Sequence, residues 1–111
     1  MTWRVAMAQW DVYRNPFERS RPDVPYLVVM QSDLLDALAT RLVAPLVRST
    51  LVPRALPARL APDFEVDGER VVLMPQEAAP VDARVLRAPV LSLRAQSHRI
   101  VDALDAVVGG V

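Results

Sequence analysis

Apolar positions change their period along this chain. From Tyr26 to Gln31 they alternate between two sides, Tyr26, Val28 and Met30 against Leu27, Val29 and Gln31, and both sides are mainly apolar. A strand buried on both faces, and so central in its sheet, is the expectation. Ser32 and Asp33 follow with side-chain oxygens suited to free backbone N–H groups, and Asp36 stands three residues beyond Asp33 in the manner of a capping box. The chain therefore turns, with at most a short helical turn before Thr40. Within that turn, neighbours Leu34 and Leu35 cannot both face a core easily; one is read as core and the other as incidental, ahead of an exposed anchor for a partner. A second run, Leu42, Val43, Ala44, Leu46 and Val47, predicts another strand. Pro45 cannot donate to a ladder, which places that strand at an edge or a bulge.

Around this centre, Thr2 to Val12 alternates loosely and predicts a first strand, and the pattern stops between Tyr13 and Pro25. Arg14, Arg19 and Arg21 make that connection basic, and it reads as a solvated surface loop rather than a contact for an acidic partner. Pro53, Pro57 and Pro62 leave 48–62 irregular, with a short strand around Ala58–Ala61. Asp67-Gly68 between two extended runs is a hairpin signal, with Phe64, Val66, Val71 and Leu73 sharing one face. Ala78 to Leu91 reads as brief strands cut by Pro80 and Pro89. The last element is a helix from Ser92, a fair N-cap, to Val108. Leu93, Gln96, Ser97, Ile100, Leu104 and Val107 form its apolar stripe, Val101, Ala103 and Val108 its shoulders, and Arg94, His98, Asp102 and Asp105 its outer face. Gly109-Gly110 terminates it. Strands first and one helix last is an α+β arrangement: about five mainly antiparallel strands, a small second sheet around Asp67-Gly68, and a C-terminal helix.

Composition narrows the chemistry. The 111 residues suit one domain, and 52% hydrophobic content with no low-complexity segment argues against disorder. Thirteen basic residues, all Arg, balance thirteen acidic ones, so no global field attracts nucleic acid or anionic lipid. No run approaches the eighteen or so apolar residues of a membrane span. MTWRVAMAQW lacks the order of a signal peptide, and a cytoplasmic protein is expected. There is no Cys and one His, so no metal spacing exists. His98, with Arg94 and Asp102 at four-residue spacing, reads as part of a solvated face. Ser32 and Ser97 have no convincing base, and capping accounts for Asp33 beside Asp36. Neither catalysis nor a cofactor is indicated.

The string Gln31-Ser32-Asp33-Leu34-Leu35-Asp36, followed by Arg41-Leu42-Val43-Ala44-Pro45-Leu46, closely resembles the signature of CcdB, the toxin of a plasmid-borne type II toxin–antitoxin pair. The resemblance runs over nearly the whole chain. It implies a barrel-like sheet and a homodimer that is not an enzyme. Such a toxin binds the A subunit of DNA gyrase, traps gyrase on cleaved DNA and is neutralised by a CcdA-like antitoxin, with no direct nucleic-acid or membrane binding of its own. In the family the contact surface is the end of the C-terminal helix from both subunits, helped by the apolar pair after the signature strand. Here that means Leu34, Leu35, Asp105, Val108, Gly110 and Val111. Gly109 stands where the best-known member has Trp. The fold is shared with MazF-type endoribonucleases, so RNA cleavage is an alternative that would need a basic groove and an acid–base pair. A non-toxic relative that only binds antitoxin is another.

Overall fold

The alternation at Tyr26–Gln31 becomes a strand with a core on each side. The computed structural model describes residues 8–110, so Thr2–Met7 of the expected first strand, and Val111, lie outside it. Strand β1 (Asp11–Arg14) pairs antiparallel with β2 (Tyr26–Val29), which pairs in turn with β3 (Thr40–Arg48). Val28 and Met30 join Trp10, Val12, Ala44 and Leu46 in one cluster, whereas Leu27 and Val29 join Tyr13, Val43 and Leu86 in another. β2 is central, as its two apolar faces require. β1 is not where the alternation ended: it runs past Val12 to Arg14 and takes in Tyr13. Trp10, at φ 77°, turns the backbone just ahead of it, and its N–H donates to Val29 O at 2.7 Å.

β3 corrects the edge assignment made from Pro45. The strand is interior, with β2 along one side and two strands in succession along the other: β6 (Ala79–Asp82) opposite Thr40–Val43 and β5 (Glu69–Leu73) opposite Leu46–Arg48. Pro45 sits at the changeover between β6 and β5. Its carbonyl accepts from Met74 N at 3.1 Å, and the donor it lacks falls on that same side, where neither ladder registers a partner for it.

β4 (Asp63–Val66) and β5 form the expected hairpin, Val66 opposite Glu69, with Asp67 at φ 51° and Gly68 at φ 78°. Both central residues are left-handed, the twist that suits a two-residue hairpin. The hairpin is not a separate sheet. β5 hydrogen-bonds to β3, giving, among the described residues, one seven-stranded sheet in the order β4-β5-β3-β2-β1-β7, with β7 being Pro89–Ser92 and β6 beside β3. The class is α+β, a curled antiparallel half-barrel with a C-terminal helix. No strand forms at Ala58–Ala61; Leu60 N and Ala61 N both bond back to Pro57 O as a turn.

Helix α1 (Ser97–Gly109) starts later than Ser92, because a 3₁₀ turn over Arg94–Gln96 leads into it. Ser92 Oγ accepts from Arg94 N at 3.1 Å, which tightens the chain just ahead of that turn, whose N-cap position is Leu93. The buried face holds Ile100, Ala103 and Ala106, with Leu104 and Val107 half-buried. The stripe is therefore rotated from the one expected, toward alanines small enough to let the helix approach its support closely. Ile100 and Leu93 pack in the cluster that contains Phe64. Arg99 lies 4.6 Å above the Phe64 ring and donates to Asp63 O at 2.8 Å, pinning α1 to the sheet edge.

Candidate functional site

The signature turn is braced by the strands on either side of it. Gln31, just past β2, donates from Nε2 to Leu35 O and Thr40 O, both at 3.1 Å, and accepts Leu42 N at 3.0 Å through Oε1. An amide side chain has a donor and an acceptor at one tip, so it can close this ring alone. Arg41 at the start of β3 is 6% exposed and donates to the carbonyls of Leu38, Thr40 and Asp36. A guanidinium fork supplies enough donors for three convergent carbonyls. Alternation alone puts Gln31 on a strand face and gives Arg41 no role. The signal was there only as a polar residue at the end of one apolar run and a charged one at the start of the next.

The capping reading needs one correction. Ser32 Oγ caps the 3₁₀ turn Asp33–Leu35, accepting from Leu34 N at 3.2 Å. Asp33 instead reaches outward: its Oδ1 accepts Gln9 N at 2.8 Å and its Oδ2 lies 3.8 Å from Arg94 Nη2. The turn is thus tied to the lead-in of α1.

Neither leucine of the pair is core, contrary to the expectation that one would be. Leu34 is 93% exposed and Leu35 49%, and Leu38 at 52% extends the apolar surface along the same loop. With Gln31 and Arg41 filling the inside of the turn, no room is left there for a leucine. At the far end of α1, Asp105 is exposed, Val108 is 79% exposed, and Gly110 closes the helix at φ 71° with its N–H on Ala106 O at 3.0 Å. Val111 lies outside the described residues. The distance from Arg94 to Gly110 is about 24 Å at the rise of a helix. Within one chain, then, the Leu34 turn and the Val108 end sit at opposite ends of α1.

His98 is exposed on α1, and among the described residues no group of three His, Cys, Asp or Glu side chains could hold a metal ion.

With this geometry in place, the family comparison is decisive: the model of the family described as CcdB protein matches residues 9–110. The chain belongs to the CcdB family. It is therefore, by class, a toxin of the toxin–antitoxin kind, a family whose partners are in general an antitoxin and gyrase, and whose members are generally not enzymes themselves. Comparison with curated proteins gave no match. In CcdB terms, the braced turn is the one that carries the signature Gln31–Asp36, and both braces belong to the signature.

Proposed function

We propose that this chain poisons DNA gyrase as a homodimer in the cytoplasm, with Leu34, Leu35, Asp105, Val108, Gly110 and Val111 meeting the gyrase A subunit, and that a CcdA-like antitoxin neutralises it. The observation that supports this reading is Leu34, a leucine 93% exposed on a turn that two signature residues hold rigid. A pre-ordered apolar anchor loses little conformational freedom on binding, so more of its burial appears as affinity. Two copies would present two such turns and two helix ends on one body, and linked contacts reinforce one another. That linkage offsets the Gly109 that stands where another member has Trp.

The test is a gyrase cleavage assay with gyrase from the native host. The intact protein is expected to accumulate cleaved DNA. Leu34→Arg is expected to abolish this while shifting unfolding by no more than about 0.5 kcal/mol, as for a surface change. No cleaved DNA with the intact protein would discard gyrase poisoning and leave a relative that only binds antitoxin.

A further inference from the structure

Pro53-Arg54-Ala55-Leu56 and Pro57-Ala58-Arg59-Leu60 repeat one four-residue pattern, proline first and leucine last. Each copy closes a turn, Leu56 N donating to Pro53 O at 3.1 Å and Leu60 N to Pro57 O at 3.0 Å. Pro57 disfavours helical backbone at Leu56, so the first turn stops there and the two stay separate instead of merging into a helix. Both leucines are half-buried, whereas Arg54 and Arg59 are exposed. The repeat thus has an apolar inner side and a charged outer one.

Packing is what ties these turns to the body. Among the described residues, every backbone hydrogen bond of 53–61 closes within 53–61, and the first bond beyond runs from Leu73 N to Pro62 O at 2.9 Å. Leu56, Leu60 and Ala61 form one wall of a hollow of about 290 Å³, and Gln76, Ala106 and Val107 form the other. Leu56 and Ala61 also line a second hollow, of about 360 Å³, on the sheet side with Asp63 and Val72. Leu56 therefore stands between sheet and helix. α1 itself is held unevenly along its length. Ile100 and Leu104 pack in the core cluster, and Arg99 is pinned to Asp63 and the Phe64 ring. Ala106 and Val107 join neither cluster of core residues among the described residues. The last turn, which carries Val108 and Gly110, rests against the proline turns and the 3₁₀ turn Pro75–Glu77.

We propose that Leu56 and Leu60 are positioning residues for the end of α1: the two proline turns form a strap whose leucines hold the last helical turn, and with it Val108 and Gly110, in one place. A helix end without tertiary support frays, because a few helical turns alone are marginal in water. A contact surface that must first be ordered binds more weakly than one already in place. The prolines restrict the strap before it packs, so ordering it costs little. The consequence for activity rests on the gyrase reading, whereas the hold on the helix end does not.

Amide hydrogen exchange of the full chain, read residue by residue, tests the hold without gyrase. Leu56→Ala and Leu60→Ala are each expected to speed exchange at Val108 and Gly110 about tenfold, and at Leu35 and Asp36 in the signature turn by less than about twofold. Leu56→Met, which nearly conserves volume, is expected to restore the slow exchange, and Arg59→Ala, on the outer side of the strap, to leave it unchanged. In the gyrase cleavage assay, the concentration giving half-maximal cleaved DNA is expected to rise about tenfold in Leu56→Ala and to return in Leu56→Met. Unchanged exchange at the helix end in both alanine variants, equal acceleration at Leu35 and Asp36, or no rescue by Leu56→Met would each overturn the proposal. So would an unchanged half-maximal concentration in a chain that does poison gyrase. Exchange that responds as stated in a chain yielding no cleaved DNA would uphold the strap and discard gyrase poisoning alone. Circular dichroism verifies that every variant is folded.

Discussion

Tyr13 shows how one side chain can cost what its neighbours gain. Its ring is 1% exposed in the cluster with Leu27, Val29, Val43 and Leu86, yet its hydroxyl has no hydrogen-bond partner among the described residues. Burial, with the Asp11 charge adding and Arg41 opposing, pushes the phenol up to about 12 from its usual 10.0. The folded chain thus keeps a proton that the unfolded chain gives up near pH 10, so stability is expected to fall as pH rises from about 10 to about 12. Tyr13→Phe should flatten that decline in urea unfolding measured across this range. At neutral pH it should leave stability unchanged or raise it by up to about 1 kcal/mol, because an unpaired buried group is removed. Ordinary destabilisation of several kcal/mol would mean that the hydroxyl is satisfied after all.

Among the elements, α1 carries the most specific expectations. Its end is set by Gly110 in the left-handed region, where a Cβ would meet nothing within 4 Å, so only backbone strain opposes substitution. Gly110→Ala is expected to cost about 1–2 kcal/mol in urea unfolding. Removing Gly109–Val111 should keep the fold, since the last buried helix position is Ala106, and should abolish cleaved-DNA accumulation if the helix end meets gyrase. Loss of folding in that truncation would show that the terminus is structural. The helix was legible because its apolar spacing is regular and its glycines punctuate it. Its start was displaced because Ser92 bonds Arg94 N ahead of a 3₁₀ turn rather than capping the helix itself, and its buried face turned toward Ala103 and Ala106 because small side chains, invisible to a hydrophobicity pattern, decide how closely a helix can approach.

For the whole molecule, the outer side of α1 is the feature that a single chain leaves open. Val101 is 40% exposed and Val108 79%, two turns apart on one side of the helix. A second copy covering this side would also supply the other helix end that the gyrase reading needs, because Leu34 and Val108 lie at opposite ends of α1 within one chain. Sedimentation at micromolar concentration is expected to show twice the 12.3 kDa mass of the chain. Val101→Arg is expected to shift it toward the single chain with its circular dichroism unchanged. A 12.3 kDa species alone would rule out a stable dimer.

The sequence by itself determined the features that rest on local chemistry. Alternation made β2 two-faced, Asp67-Gly68 closed its hairpin, Gly109-Gly110 ended α1, and the signature around Gln31–Asp36 disclosed the family. Tertiary structure alone decided the rest, because those properties belong to pairs of segments distant in the chain. Pro45 is tolerated inside the sheet only because β6 hands over to β5 beside it. The hairpin fuses with the main sheet through hydrogen bonds that β3 offers and no pattern announces. Leu34 is exposed because Gln31 and Arg41 occupy the inside of its turn, and Arg14 and Arg87 line one hollow because β1 and β7, first and last of the described strands, are neighbours.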